Sequence, residues 1–174
     1  MVMKEIVKVI FSELDSVIAL VGDAIQDMED NGIHQWDEVY PARNIFEEDI
    51  TAEELYCVKL SQIIAGVVAL NEYQPVEYSS IRWSDNGKPL IIHRLCIKPG
   101  FQGKGLAKLL MLFAENYAIE QHYTSIRLDA FTGNPNALGL YDSLHYLRKG
   151  LVEFRKRDFY CYEKVLNETE STRL

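Results

Sequence analysis

Lys98-Pro99-Gly100-Phe101-Gln102-Gly103-Lys104-Gly105-Leu106-Ala107 is the stretch on which the reading of this chain turns. It follows the apolar run 91–97 and opens an apolar-periodic segment over 106–117. The order is strand, glycine-rich turn, helix. Such a turn leaves backbone N–H groups unpaired at a helix N-terminus, where the helix dipole adds partial positive charge. A phosphate or pyrophosphate fits there. Gly103 and Gly105 let the backbone approach a ligand with no Cβ in the way. The chain is therefore expected to hold a phosphorylated ligand.

Working outward, the pattern predicts a first strand over 4–10. Ser12 is placed to cap a helix over 14–30, whose apolar positions Val17, Ile18, Val21, Ile25 and Met28 share a face, and Asn31-Gly32 ends it. A loop with Trp36, Tyr40 and Pro41 precedes a second helix near 42–48. Residues 55–60 and 62–71 read as a hairpin. The stretch 73–84 reads ambiguously, and Asp85-Asn86-Gly87-Lys88 is a turn. A strand over 90–97 leads into the glycine turn and a helix to about 121, with the stripe Leu106, Leu109, Leu110, Phe113 and Tyr117. A strand over 125–131, a short helix ending near 144, and strands over 146–154 and 159–166 complete the order. Strands first antiparallel and then parallel imply an α/β fold: a mixed, mostly antiparallel central sheet of six or seven strands flanked by about four helices. Residues 1–166 are expected to form one domain and 167–174 a tail.

Composition narrows the function classes. The chain has 174 residues, 48% hydrophobic and 25% charged, enough to bury a core. No apolar run reaches the ~20 residues of a membrane span, and the N-terminus lacks the apolar core of a signal peptide. Cys57, Cys96 and Cys161 are three, far apart, with no C-x-x-C pair. That pattern implies no disulfide framework, no metal site and a cytoplasmic location. Residues 1–87 carry 5 Lys/Arg against 17 Asp/Glu, and residues 88–174 carry 13 against 9. An anionic cofactor on the basic half and a cationic substrate facing the acidic half suit this field; helix faces that merely differ in charge produce it too. No dense basic patch interleaved with aromatics points to nucleic acid.

A Walker phosphate loop would need G-x-x-x-x-G-K-[ST], which is absent. A dinucleotide fingerprint needs a third glycine where Lys108 stands. What fits is Q/R-x-x-G-x-G/A after a strand ending in proline. This resembles the acyl-CoA pyrophosphate loop of the GNAT superfamily of N-acetyltransferases. A second stretch, Asn134-Pro135-Asn136-Ala137-Leu138-Gly139-Leu140-Tyr141, is similar to that family's N-x-x-A-x-x-L-Y, after the next strand. Where the family ends this motif with Gly-Phe, the chain has His145-Tyr146.

The resemblance implies acetyl-CoA as co-substrate, with Gln102, Gly103, Lys104, Gly105, Leu106 and Ala107 at its pyrophosphate. It implies main-chain pairing of Leu95, Cys96 and Ile97 with the pantetheine arm, Asn134 at the cofactor, and Tyr141 protonating the departing thiolate. The sheet is then splayed where the arm enters. The acceptor is a small-molecule or peptide amine, which must lose a proton to a base within reach. A strand amide near 95–97 is placed to receive the oxyanion. Candidate bases are Asp129, His93, Glu72 and His34. Asp129 is read either as base or as an ion-pair partner of Arg127 or Arg94, and His93 either as base or as structural. Trp36 and Tyr40 either wall the acceptor pocket, with Asp37 and Glu38 attracting an ammonium, or Trp36 caps the core. Lys104 and Lys108 either add charge at the phosphates or face solvent. Cys96 is expected to be a buried strand residue, not a nucleophile. A non-catalytic acyl-CoA-binding module and a transferase using another acyl-CoA are the alternatives. The Tyr- and Phe-rich terminal strands over 146–166 either offer a homodimer surface or are core.

Overall fold

A computed structural model describes residues 3–37, 39–155 and 157–166. Seven strands run in the hydrogen-bonded order β1-β2-β3-β4-β5-β7-β6: β1 (Lys4–Lys8), β2 (Leu55–Leu60), β3 (Ile63–Asn71), β4 (Pro89–Ile97), β5 (Ser125–Phe131), β6 (Leu147–Phe154) and β7 (Arg157–Val165). The helices are α1 (Leu14–Asp30), α2 (Arg43–Thr51), α3 (Leu106–Glu120) and α4 (Pro135–Ser143). The sheet is mostly antiparallel with β4 and β5 parallel, as the fold class predicts. The expected tail 167–174 lies outside the described residues.

The chain divides into two compact units. One comprises Met1–Leu70 with Arg94–Met111, the other Asn71–His93 with Leu112–Leu174. In the first, α1 and α2 bury Val17, Leu20, Val21, Phe46 and Ile50 with Leu55, Val67 and Cys96 of the strands. Each such side chain taken fully from water stabilises the fold by about 1.5–3 kcal/mol. The expected Ser12 cap is corrected. The chain enters α1 through a 3-10 turn, Phe11–Glu13, and the Glu13 carboxylate accepts the Ile10 N–H at 3.2 Å. Ser12 thus sits inside the turn rather than at the helix cap. The helix ends as expected: Gly32 has φ +73°, with Gly32 N–H donating to Glu29 O and Ile33 N–H to Met28 O.

The second unit packs Tyr78, Ile91, Val152, Phe159 and Cys161 against half-buried Ile81, Trp83, Phe131 and Phe154. The stretch that reads ambiguously, 73–84, holds a 3-10 turn, Val76–Ser80, that presents Tyr78 to this core. Strand β7 is core, through Phe159, Cys161 and Tyr162. Strand β6 ends the strand order and leaves Leu147 and Leu151 exposed.

Candidate active site

The ladder between β4 and β5 runs over three pairs, Pro89–Ser125, Leu90–Ile126 and Ile91–Arg127. Both strands continue beyond it, β4 to Ile97 and β5 to Phe131. Further along β4, Arg94 has φ +52°. A non-glycine residue in this region costs roughly 1–2 kcal/mol and breaks the regular pleat. A buried ion pair holds it there. Arg94 Nε donates to Asp49 Oδ2 at 2.9 Å and Nη2 to Oδ1 at 2.6 Å, with the side chains 8% and 7% exposed. Arg94 Nη1 also donates to the Tyr40 hydroxyl at 3.4 Å.

Beyond Arg94, the Cys96 side chain turns into the core, and burial pushes its thiol up to about 12. It is a buried strand residue, as expected. Lys98 N–H donates to Ala65 O at 2.9 Å, and a Cβ on Gly66 would meet Cys96 O at 3.0 Å. This end of β4 is therefore seated closely on β3. Gly103 and Gly105 follow with φ +70° and +77°. Leu109 N–H donates to Gly105 O at 3.0 Å, the first backbone bond of α3. Among the described residues, the amides of Gly103 to Lys108 donate to no backbone carbonyl, and residues 102–105 are exposed. These are the unpaired donors a pyrophosphate needs. Lys104 is turned back instead, its Nζ on Gly100 O at 2.9 Å and 5.1 Å from the Phe101 ring centroid. Gln102 Nε2 donates to Ile97 O. A cleft of about 380 Å³ lies between Lys98–Phe101 and the α1 residues Asp23, Gln26, Asp27 and Asp30. Its acidic side has the wrong sign for phosphate.

In the second unit, the register past Ile91–Arg127 makes His93 and Asp129 the next residues on that face of their strands. Segment 71–84 addresses both. His93 Nε2 lies 3.0 Å from Asn71 Oδ1 and 3.1 Å from the Tyr73 carbonyl. Two oxygens at this distance suit an Nε2–H donor. Asp129 Oδ2 accepts the Tyr78 hydroxyl at 2.8 Å. Burial raises Asp129 to about 6, with the Tyr78 bond pulling down and the Glu77 charge pushing up. The ion pairs offered as its alternative are absent among the described residues. Arg127 pairs with Glu163, and Arg94 with Asp49.

Tyr141, on α4, is 6% exposed, with its ring 5.5 Å from that of Tyr162 and 6.2 Å from that of Tyr146. Burial, then the Asp129 charge, push its hydroxyl well above the usual phenol range. A tyrosine so buried usually finds a hydroxyl partner. Among the described residues Tyr141 has none. Asn134 is the N-cap of α4, its Oδ1 accepting Ala137 N–H at 3.1 Å, ahead of Pro135. Asn before Pro at a helix start is a capping signature, and it gives this residue a structural task as well. His145 takes φ +63°, the turn position where the family has glycine, and Tyr146 is buried.

The other sequence candidates fall elsewhere. Glu72 is exposed, bonded to Lys88 and Tyr123, and both bonds hold its carboxyl below the usual range. His34 Nδ1 sits 2.7 Å from Glu29 at the end of α1. Trp36 is 7% exposed within the first unit's core, which is the core-capping arrangement rather than an open wall. Tyr40 is half-buried at that core's edge. Asp37 Oδ1 accepts the amides of Val39 and Tyr40, so it shapes the loop. Glu38 lies outside the described residues. The residue missed by sequence reasoning is Tyr78, for which neither period nor motif gives a signal.

Comparison with known proteins bears on this arrangement. The family model described as Acetyltransferase (GNAT) family matches residues 21–146. The chain is 27% identical over 168 residues to the uncharacterized N-acetyltransferase YesJ of Bacillus subtilis (strain 168), covering 90% of this chain and 87% of that protein. A GNAT-family acetyltransferase structure from Streptococcus agalactiae 2603 is similar at TM-score 0.82 and 25% identity, covering 94% of this chain and 96% of that one. The PaiA N-acetyltransferase of Thermoplasma acidophilum, in complex with coenzyme A, shares the fold at TM-score 0.71 and 15% identity, covering 94% and 99%. The matched region takes in the glycine turn, Asp129, His93 and Tyr141, and the chain belongs to the acetyltransferase (GNAT) family and is an acyltransferase.

Proposed function

We propose that this chain, as one acetyltransferase domain over 1–166, moves an acetyl group from acetyl-CoA to a primary amine by direct attack. The observation that carries this reading is the row of undonated amides from Gly103 to Lys108 at the head of α3, directly after β4. The coenzyme A held by the Thermoplasma relative supports it. In this reading the amides of Gly103 to Ala107 and Gln102 hold the pyrophosphate, and the main chain of Leu95, Cys96 and Ile97 pairs with the pantetheine arm. Asn134 lies at the cofactor. Tyr40 borders the acceptor.

The amine nitrogen bonds to the thioester carbon and the carbon–sulfur bond breaks. Asp129 takes the amine proton, with His93 as the second candidate. Tyr141 gives its proton to the thiolate and regains one from solvent. A carboxyl near 6 is ionised at neutral pH and still close enough to it to hold a proton in the transition state. Tyr141 is kept protonated, as an acid must be. The acidic first half favours a cationic small molecule or peptide as acceptor. No helix among the described residues is long and apolar enough to cross a membrane. A cytoplasmic location belongs to the same reading.

Thermal melting with acetyl-CoA, against ATP and NAD, tests the cofactor. Specific binding to the native state raises the melting temperature. A rise with acetyl-CoA alone supports the reading. No rise, or a larger one with a nucleotide, overturns it.

A further inference from the structure

Segment 71–84 does more than cover a core. It is anchored at several points before it reaches Asp129. Tyr78 N–H donates to Pro75 O at 3.0 Å, and Trp83 Nε1 donates to Tyr78 O at 3.1 Å. The Trp83 ring lies 5.1 Å from that of Tyr78, and the Arg127 guanidinium sits 4.4 Å from the Trp83 ring centroid. Arg127 is in turn bonded to Gln74 Oε1 at 2.8 Å and Asp85 O at 2.6 Å. Tyr78 itself is 2% exposed. Its rotamer is thus set by packing and by its neighbours' bonds, which a precise site requires of a supporting residue. Satisfying a buried hydroxyl needs only some acceptor, and a backbone carbonyl or amide oxygen would do. Here the acceptor is a half-buried carboxylate, a costlier choice with no ion-pair partner among the described residues.

Resting on the acetyl-transfer reading above, we propose that Tyr78 is a positioning residue for the reaction. Its hydroxyl ties down Asp129 Oδ2, and so sets Oδ1 as the oxygen that takes the proton of the acceptor amine. The N–H bond of the ammonium breaks, Oδ1 gains the proton, and the nitrogen keeps the electron pair for attack.

The groups facing Asp129 come from each neighbouring element. They are Tyr78 and Glu77 from the 3-10 turn, Cys161 opposite on β7, and Tyr141 from α4, while His93 on β4 lies past the last ladder pair on the same strand face. Tyr78 donates a hydrogen bond to the carboxylate. Removing that bond disfavours the ionised form.

The test is a carboxyl-carbon NMR titration of protein labelled at aspartate, with the Asp129 signal assigned by its loss in Asp129→Asn. In Tyr78→Phe the Asp129 midpoint is expected to rise by about one pH unit. The acid limb of kcat/KM is expected to rise with it. In the wild-type protein the Tyr78 ring Cζ signal is expected to titrate with the Asp129 midpoint, a readout that needs no variant. An unmoved midpoint in Tyr78→Phe, or a flat Tyr78 signal, overturns the role of Tyr78 while leaving Asp129 as base if Asp129→Asn still removes the limb. A midpoint that moves while the kinetic limb stays fixed shows that Asp129 is not the base, and the proposal falls with that assignment.

Discussion

Asp129→Asn is predicted to make the protein more stable at pH 8 while cutting its turnover. The folded carboxyl titrates at about 6 against an ordinary value of 3.8. A raised acid contributes stability below its unfolded pKa, and that contribution is lost as pH climbs through the folded value. Well below pH 3.8 the carboxyl is protonated in both states, and the penalty vanishes. Between 4 and 6 the unfolded chain ionises while the folded one resists. Above 6 the folded carboxylate sits half-buried at full cost. Two units correspond to about 3 kcal/mol, an upper figure for a partly solvated group. Asparagine is uncharged, has nearly the same shape, and keeps an oxygen for the Tyr78 hydroxyl. Its advantage over wild type is therefore about 1 kcal/mol at pH 4.5 and up to about 3 kcal/mol at pH 8. For a chain of this size that corresponds to roughly 6–12 °C in melting temperature. Urea denaturation of both proteins at half-unit steps from pH 4.5 to 8 reads the difference directly. With an acceptor in hand, kcat is expected to fall by about 10²–10⁴. An advantage that does not change with pH, or a variant less stable than wild type at pH 8, refutes the reasoning.

Other substitutions probe other parts of the account. Tyr141→Phe is expected to lower kcat roughly tenfold or more with little change in KM for acetyl-CoA; an equal loss in both constants would make Tyr141 a binding residue. Asp49→Ala strands the Arg94 guanidinium in the core and is expected to cost about 3–5 kcal/mol, with the double variant Asp49→Leu, Arg94→Met far milder than the single changes summed. Chemical denaturation of the single and double variants checks this. Gly105→Ala meets no neighbouring atom but must hold φ +77°, at roughly 1–2 kcal/mol, and it sets a methyl among the open amides. Calorimetry is expected to show acetyl-CoA affinity falling by about tenfold or more, beyond any change in melting.

What the sequence made legible was local. Strand β5 has the predicted bounds because alternation is a property of the strand alone. The turn at Gly103 and Gly105 is legible because positive φ is a glycine property, and the head of α3 follows from it. Segment 71–84 has no period to read. Its single turn of 3-10 helix is fixed by tertiary contacts, above all by Tyr78 reaching a carboxylate 51 residues away in the chain. Arg94 shows the same limit. No propensity predicts an arginine at φ +52° inside a strand, because the Asp49 pair that holds it is 45 residues distant. Ser12 fails as a cap for the opposite reason. It is a good capping residue, but the chain spends it inside the 3-10 turn that precedes α1. The Asn134 cap is legible too, because Asn-Pro before an apolar segment marks a helix start.

Acetyl transfer itself is the claim everything else depends on, and one experiment reaches it most directly. Wild-type protein is incubated with acetyl-CoA and a panel of primary amines spanning polyamines, amino acids and short peptides, and free thiol and product mass are followed together. The account predicts thiol release that depends on one class of amine, matched mole for mole by acetylated product and lost in Tyr141→Phe. Tight acetyl-CoA binding with no acetylated amine anywhere in the panel would contradict it and leave a binding module in place of an enzyme.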